Sequence, residues 1–382
     1  MAPGRRTRVL VVDDSAVMRS LLRSVFRTDA SIEVVGTAAD GESAIGMVES
    51  LHPDLILLDV EMPVMDGVAT LRQLRSRGHK MPIIMCSALT TRGGRVTIEA
   101  LASGASDYVA KPKSQAGPAE AIQALARDLL PKIAALTTVE SAAPAPVLSA
   151  LAPRQPAVQG QGQGPAAAAR AHAITAAPAL VVIGVSTGGP AALDIALPAL
   201  PANFPLPVLI VQHMPELFTH LLAERLDQRC NLRVSEAKEG DPIRPGRILI
   251  ARGNWHMEVV GARGVQPATL HLTQGPPENH CRPAADVLFR TAVANYGAAT
   301  LAVVLTGMGS DGLVGARLIR AQGGTVLAQD QPTSAVWGMP GAVARAGMAQ
   351  RILPLREIAP ELIRLSSRSQ PARVESNEAV TQ

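Results

Sequence analysis

Aromatic residues are scarce in this chain of 382 residues, which contains four Phe, two Trp and two Tyr. Few rings are therefore available to stack on nucleic-acid bases, and the 36 lysines and arginines are dispersed along the chain instead of forming a basic stripe. We expect no nucleic-acid binding from this composition. The hydrophobic content of 47% is ample for packed cores, which must be built mainly from Leu, Val, Ile and Ala.

Cysteines and long apolar runs are also few. Cys86, Cys230 and Cys281 form no CxxC pair, so neither a disulfide framework nor a zinc site is predicted, and a reducing compartment is expected. No apolar run approaches the roughly 20 residues that span a bilayer. The run 9–12 ends at Asp13, which does not fit a signal peptide. We expect a cytoplasmic protein without direct membrane insertion.

Acidic residues are absent from the segment 141–179, which consists mostly of Ala, Pro, Gln and Gly. Such a segment buries too little apolar surface to offset the entropy of ordering it, so it is predicted to be a flexible linker. The chain length also suits two domains. The predicted organisation is a domain at 5–131, a linker at 132–178, a domain at 179–367 and a disordered tail at 368–382.

Strand-like and helix-like segments alternate through the first domain. Five apolar runs are predicted to be strands: 8–12, 32–37, 55–58, 83–85 and 108–109. Five amphipathic stretches are predicted to be helices, near 16–27, 41–50, 67–77, 93–103 and 117–130. This alternation predicts an α/β (βα)5 domain with a parallel sheet.

The second domain is also predicted to be α/β, with a doubly wound parallel sheet. Its buried-strand runs are 180–185, 207–211, 300–305 and 324–328, each with helical partners. Between them, 232–273 contains short strands with Gly and Pro turns. We interpret this segment as an antiparallel insertion.

Polar side chains follow four strands of the first domain. Asp13 and Asp14 follow the first strand, Asp59 the third, Ser87 the fourth and Lys111 the fifth. Because ligands of such sheets bind beyond the carboxyl ends of the strands, these residues are expected to converge. Converging carboxylates favour Mg²⁺, and the lysine and serine suit a phosphoryl group. The alternative is that the aspartates are helix caps or loop acids.

The motifs "VVDDSAVMR", "LLDVEMPVMDG", "MCSALT" and "GASDYVAKP" resemble those of response-regulator receiver domains over almost the whole first domain. The resemblance implies that Asp59 accepts a phosphoryl group and that Mg²⁺ binds at the acidic site. It also suggests a cis bond between Lys111 and Pro112. The implied roles are Mg²⁺ coordination by Asp14, Asp59 and the Glu61 carbonyl, shaping of the acidic site by Asp13, switching by Ser87 and Tyr108, and phosphoryl binding by Lys111.

The second domain opens with Ser186 in a G-x-S-x-G sequence, "GVSTG", between a predicted strand and helix. This motif fits a nucleophile on a sharp turn, a phosphate-binding turn or a simple chain reversal. His213 follows the next strand and could be its base, or a capping or core histidine. Asp311 follows a third strand and could orient His213 or cap a helix that starts near Gly312. The glycines on either side of Met308 favour an oxyanion site there.

Ser, His and Asp at three strand ends together favour a serine hydrolase. Their order along the chain differs from the Ser, Asp, His order of α/β-hydrolases, which argues against that fold. His256 and His280 are competing candidates for the base. His280 lies in a polar context, but no predicted strand delivers it to the sheet edge.

The second domain resembles the catalytic domain of the chemotaxis protein-glutamate methylesterases. The matching sequences are "IGVSTGGP", "VQHMPELFTHLLAERLD", "KEGDPIRPGRILIA", "RPAADVLF", "LTGMGSDG" and "GMPGAV". The resemblance implies that Ser186, His213 and Asp311 are catalytic, that Thr187 lines the pocket and that the Met308 amide binds the oxyanion. No cofactor is implied for this domain.

The two resemblances together imply a phosphorylation-activated methylesterase that also deamidates receptor glutamines. Methyl-accepting chemotaxis receptors would be the substrate, and a histidine kinase of the CheA type the phosphodonor. The first domain is expected to cover the Ser186 cleft until Asp59 is phosphorylated. Three alternatives remain: a receiver with a DNA-binding or scaffold output, a nucleotide-binding Rossmann domain, and a hydrolase of small esters. The first lacks a helix-turn-helix or basic recognition helix, and the second lacks a full G-x-G-x-x-G.

Overall fold

The computed structural model describes residues 5–88, 90–112, 117–137, 177–261 and 268–367. The predicted tail at 368–382 and residues 138–176 of the predicted linker lie outside these described residues. Residues 132–137, which the sequence assigned to the linker, instead continue the last helix of the first domain to Thr137. The helix continues because Ile133 is buried against the sheet.

The first domain has the predicted alternation of strands and helices. Its strands are β1 (Thr7–Val12), β2 (Ile32–Ala38), β3 (Leu55–Asp59), β4 (Ile83–Ser87) and β5 (Asp107–Ala110). Its helices are α1 (Ala16–Phe26), α2 (Gly41–Leu51), α3 (Gly67–Ser76), α4 (Thr91–Ala102) and α5 (Pro118–Thr137). All strand pairs are parallel, in the order β2-β1-β3-β4-β5.

The sheet of the first domain is buried on both faces, because neighbouring residues of a strand point to opposite sides. Val9 packs with Leu22 of α1 and Leu129 of α5. Leu10, the next residue, packs with Leu71 of α3 on the other face. This explains why the strands are continuous apolar runs.

The second domain contains nine strands and six helices within its described residues. The strands are β6 (Leu180–Val185), β7 (Val208–Gln212), β8 (Arg233–Glu236), β9 (Arg247–Ile250), β10 (His256–Val260), β11 (Thr269–Thr273), β12 (Thr300–Val304), β13 (Thr325–Gln329) and β14 (Arg351–Leu353). The helices are α6 (Gly189–Ala196), α7 (Glu216–Asp227), α8 (Ala285–Tyr296), α9 (Leu313–Ala321), α10 (Met339–Arg345) and α11 (Leu355–Ser366).

Seven of these strands form one parallel sheet, in the order β14-β13-β12-β6-β7-β9-β8. The predicted antiparallel insertion at 232–273 is therefore only partly correct. β8 and β9 extend the main sheet in parallel beyond β7, and only β10 and β11 form an antiparallel pair. β9 joins the sheet because Ile248, Leu249 and Ile250 are buried, which an exposed hairpin would not allow.

The two domains pack against each other through α4, which contacts α6 and α7. The approach is close at Gly94, where an added Cβ would lie 2.7 Å from Leu221 Cδ1. The rings of Tyr108 and Phe218 meet with centroids 4.5 Å apart. One apolar cluster runs continuously through this contact into both domains. Among the described helices, none has the length and apolar character needed to cross a bilayer.

Candidate active site

Ser186 and His213 lie side by side at the carboxyl edge of the seven-stranded sheet. β6 and β7 are parallel neighbours with Val185 opposite Gln212, so the next residue on each strand is Ser186 or His213. The His213 amide donates to the Val185 carbonyl at 3.2 Å, which fixes this register. Gly188, the residue before α6, has φ of 77°, a left-handed conformation that favours glycine and turns the chain sharply after Ser186.

Asp311 reaches the same edge from the loop after β12, the neighbour of β6 on its other side. Its Oδ2 is 2.8 Å from His213 Nε2. The carboxylate also accepts hydrogen bonds from the backbone amides of Ala285, Asp286 and Gly312. Asp311 therefore caps α8, which has no side-chain cap of its own, rather than the helix near Gly312 as the alternative proposed.

The surroundings of His213 favour its charged form. Burial lowers the pKa of His213, but the hydrogen bonds with Asp311 and Cys281 outweigh it and raise this pKa to about 9. Burial raises the pKa of Asp311, but the hydrogen bond from His213 and those from backbone amides hold it below its usual value. The pair is thus built to carry a proton on the imidazole and a negative charge on the carboxylate.

The second ring nitrogen of His213, Nδ1, contacts Cys281 Sγ at 3.6 Å. Between the described side chains of Ser186 and His213 there is no hydrogen bond, although the two residues are adjacent. Nδ1 is the nitrogen that Asp311 leaves free, so it is the one that could take a proton from Ser186 Oγ. Catalytic hydrogen bonds often form only when substrate binds.

An open cleft of about 1070 Å³ surrounds these residues and is lined by both domains. Met308 and Thr187 lie on its wall, and Gln212 donates from Nε2 to the Ser186 carbonyl at 3.0 Å. The Met308 amide has no hydrogen-bond partner within the described residues. A free N–H beside a serine turn is the feature that an oxyanion site requires.

The first domain enters this cleft through Asp107, the first residue of β5. Thr187 Oγ1 donates to Asp107 Oδ2 at 2.6 Å, and both side chains are buried. Thr187 follows Ser186 directly, so a side chain of the first domain is bonded to the neighbour of the serine. The cleft is therefore partly covered by the first domain.

The acidic residues of the first domain also converge. Ligand oxygens of Asp13, Asp14 and Asp59 all lie within 4.8 Å of one another. Lys111 Nζ lies 2.7 Å from Asp59 and 2.8 Å from Asp13. Ser15 caps α1, so the cap interpretation of the two neighbouring aspartates is not needed.

These charges shape the protonation of the acidic site. Burial raises the pKa of Asp59 to about 6 although Lys111 opposes the shift. Burial lowers the pKa of Lys111, but its two carboxylate partners outweigh this and raise it. The three oxygen donors fit a hard divalent cation such as Mg²⁺.

The other predicted residues of the first domain are more dispersed. Ser87 is buried and donates to the Ala88 carbonyl at 3.2 Å. Tyr108 is buried at the domain contact, against Phe218. The Glu61 carboxylate points to Arg92, at 3.5 Å, and is not part of the acidic group.

The cis bond suggested for Lys111–Pro112 is wrong, because the cis bond of the described chain is Arg282–Pro283. Both isomers are accessible to X–Pro bonds, so sequence alone does not decide between them.

The two histidines that compete with His213 for the role of base have different surroundings. His256 bonds to the Pro276 carbonyl at 3.0 Å, whereas His280 lines the cleft.

Several residues of the site were missed from the sequence. No sequence pattern marks Asp107 as a site residue, because its hydrogen-bond partner Thr187 belongs to the other domain. Asn279 donates to both Asp311 and Asp286. The sequence "PENHCRPAAD" offered one hint, a polar stretch just before a helix, which a search for partners of Asp311 could have used.

The sequence matches two family models. Residues 9–133 match the response regulator receiver domain, and residues 181–362 match the CheB methylesterase domain. A solved structure, the CheB methylesterase catalytic domain of Thermotoga maritima, is 43% identical. It covers 50% of this chain and 100% of its own, with a TM-score of 0.48.

Two curated relatives match almost from end to end. The protein-glutamate methylesterase/protein-glutamine glutaminase of a Nocardioides species is 49% identical, over 96% of this chain and 97% of its own. The protein of the same name from Trichodesmium erythraeum is 44% identical, over 94% of this chain and 98% of its own. The chain therefore belongs to the CheB methylesterase family, with a receiver domain ahead of the methylesterase domain.

Proposed function

We propose that this protein is a protein-glutamate methylesterase and protein-glutamine glutaminase whose receiver domain controls access to a Ser–His–Asp site. The observation that carries the proposal is the His213–Asp311 hydrogen bond of 2.8 Å beside Ser186, at the ends of three adjacent strands. The names of the relatives supply the substrate class.

The first half of the reaction is acylation. Ser186 Oγ attacks the carbonyl carbon of a glutamate methyl ester, and its proton moves to His213 Nδ1. Asp311 stabilises the imidazolium through Nε2. The tetrahedral intermediate then collapses, methanol leaves with the proton from His213, and the glutamyl group stays on Ser186 as an ester.

The second half is hydrolysis of this acyl-enzyme. Water attacks the same carbonyl while His213 takes its proton. The Ser186–acyl bond then breaks, His213 returns that proton to Ser186 Oγ, and the glutamate side chain is released as its carboxylic acid, which ionises in water. With a glutamine side chain the leaving group is ammonia instead of methanol. The two activities therefore need the same groups in the same places.

The negative charge on the carbonyl oxygen requires donors that are already in place. The free Met308 amide and the backbone at Thr187, next to the nucleophile, are the groups on the cleft wall that suit this role. Removal of one such donor typically costs 10²–10³ in rate.

The receiver domain would supply the control. Asp59 attacks the phosphorus of a phosphohistidine or a small phosphodonor, and the bond to the departing group breaks. Lys111 binds the phosphoryl oxygens, with Ser87 as a second donor. Mg²⁺ held by Asp14, Asp59 and the Glu61 carbonyl, beside Asp13, would neutralise the added negative charge.

Partial cover of the cleft by the first domain supports this control. Asp107 accepts the hydrogen bond from the Thr187 hydroxyl, and the Tyr108 ring packs on the Phe218 ring. β5 joins the two sites directly, because Asp107 begins this strand and Lys111 follows its last residue. A phosphoryl group that draws Lys111 and Ser87 would shift β5 and loosen the contact with Thr187.

The partners follow from this chemistry. Methylated chemotaxis receptors would be the substrate, a histidine kinase of the CheA type would be the phosphodonor, and the protein would act in the cytoplasm, where those receptor helices lie. The predicted domain limits of 5–131 and 179–367 remain part of this proposal, apart from residues 132–137, which continue the last helix of the first domain.

Mass spectrometry of receptor peptides tests the function. Wild-type protein should convert both glutamate methyl esters and glutamines to glutamate, and S186A should convert neither. Turnover of small aryl esters by wild-type protein without any change in the receptor would instead identify a hydrolase of small esters.

A further inference from the structure

Asp286 is a second buried carboxylate behind the catalytic pair. It lies in the first turn of α8 and is 1% exposed. Its Oδ1 accepts the Gly315 amide at 2.7 Å, and its Oδ2 accepts Asn279 Nδ2 at 3.0 Å. Within the described residues it has no ion pair with a lysine or arginine. A buried carboxylate that no lysine or arginine contacts directly is costly, so its place beside the site calls for a function.

Asn279 joins this carboxylate to Asp311. Its Nδ2 also donates to Asp311 Oδ1, at 2.9 Å, so one amide group bridges the two carboxylates. The opposite amide orientation would set Oδ1 against two carboxylate oxygens, which repel it. Asn279 has φ of 52°, a left-handed conformation that Asn tolerates better than most residues.

We propose that Asn279 and Asp286 are positioning residues that act on His213 through Asp311. The proposal rests on the proposed function in taking His213 as the base. A negative charge on Asp286 adds to that of Asp311 and favours the imidazolium that forms when Ser186 gives up its proton. The amide bridge keeps both carboxylates hydrogen-bonded and fixed in orientation.

The charged groups around this network are few. Asp286 faces Asp311 and Glu278, and its charge also acts on Arg290, whose guanidinium is 2.9 Å from the Glu278 carboxylate. His213 faces Asp311 on one side and the Cys281 thiol on the other. Burial raises the pKa of Asp286 to about 6, so this carboxylate is mostly ionised at neutral pH.

Removal of either group should lower the basicity of His213. D286N removes a negative charge and should lower the pKa of His213 by about one unit. N279G removes the bridging donor and keeps the left-handed backbone. Without that donor the pKa of Asp286 rises further, Asp286 takes up a proton near neutral pH, and the pKa of His213 again falls. The double variant should shift the His213 pKa by less than the sum of the two single shifts, because part of the effect of Asn279 passes through Asp286 and the rest through its own bond to Asp311.

The test is a pH titration of His213 by NMR in the full-length protein labelled at histidine, with H213Q to assign its resonance. H280G is the matched control for N279G, because His280 also has positive φ but bonds to neither carboxylate. H280G should leave the His213 titration in place, and D286E, which keeps the charge, should retain most of the wild-type pKa.

The outcomes separate this proposal from the proposed function, because the titration needs no turnover. An unchanged His213 titration in D286N, or in N279G if D286N fails to fold, would overturn the role in positioning. Additive shifts in the double variant would show that Asn279 does not act through Asp286. A shifted titration in a protein without esterase activity would preserve the network and reject the proposed function.

Discussion

The two sheets of this protein place their functional residues at the same kind of edge but balance charge differently. In the receiver domain, the buried carboxylates of Asp13 and Asp59 are paired with the Lys111 ammonium at 2.8 and 2.7 Å. In the catalytic domain, Asp311 is held by backbone and side-chain N–H groups and by His213. Permanent charges suit a site that binds a phosphoryl group and a metal ion. A carboxylate held by N–H groups instead leaves His213 able to gain and lose a proton during a reaction.

The two edges are joined by one short strand. β5 runs over Asp107–Ala110, with Asp107 bonded to Thr187 at its start and Lys111 in the acidic site just past its end. Five residues of extended chain span about 13 Å between their first and last Cα atoms. The comparison therefore predicts which substitutions abolish chemistry and which only change its control.

Loss of the nucleophile should have the largest effect. S186A removes the atom that forms the acyl-enzyme in the proposed mechanism, so receptor demethylation should fall by about 10⁴-fold or more. Methanol release from methylated receptor membranes measures it. A rate within tenfold of wild type would mean that another group attacks the ester.

Much of this site could be predicted from the sequence. The strand at 180–185 is a buried apolar run that ends in a glycine turn, and the parallel sheet brings Ser186, His213 and Asp311 to one edge. The cap formed by Asp311 could not be predicted, because α8 is remote in sequence. The prediction that β8 and β9 are antiparallel is wrong, because short strands between Gly and Pro turns have the sequence pattern of an antiparallel meander. Their parallel pairing depends on the free edge of β7, which the sequence does not show.

The contact between domains was beyond sequence patterns for a different reason. The Asp107–Thr187 hydrogen bond depends on how two separately folded sheets dock, and no periodicity within either segment reports that arrangement. The apolar contact between the domains at Gly94 and Tyr108 likewise cannot be told from ordinary core in the sequence, because its partner residues belong to the other domain.

Loss of the Asp107–Thr187 contact should release the control without harming the chemistry. D107A removes a charged acceptor, and hydrogen bonds of this kind are worth about 1.5–3 kcal/mol. Basal demethylation without phosphodonor should rise about tenfold as the closed state loses population. Steady-state methanol release measures the change, and an unaltered basal rate would show that this bond does not hold the cleft closed.

The pH dependence should sharpen the account of the catalytic edge. In the proposed mechanism neutral His213 is the base, and its pKa is raised to about 9, so kcat/KM should increase with pH up to that region. C281A removes one of the hydrogen bonds that raise this pKa, so the rise should move to lower pH by about one unit or less. C230A is the matched thiol control. A pH profile of kcat/KM that is identical in C281A and wild type would show that Cys281 does not affect the pKa of His213.

The exposed ion pair at the rim of the domain contact should matter least. Arg95 and Glu224 are 2.9 Å apart, with side chains 62% and 39% exposed, and such pairs contribute little. R95A should change basal demethylation by about twofold or less. An increase in basal demethylation larger than that of D107A would show that the exposed ion pair, and not the buried Asp107–Thr187 contact, holds the cleft closed.

The central claim is that the edge with Ser186 performs the chemistry and the edge with Asp59 controls it. The most direct test is methanol release from methylated receptor membranes by the full chain, with and without a small phosphodonor and Mg²⁺, beside S186A and D59N. We expect release that requires Ser186 and rises with phosphodonor only when Asp59 is present. Stimulation that persists in D59N, or release that persists in S186A, would contradict the account.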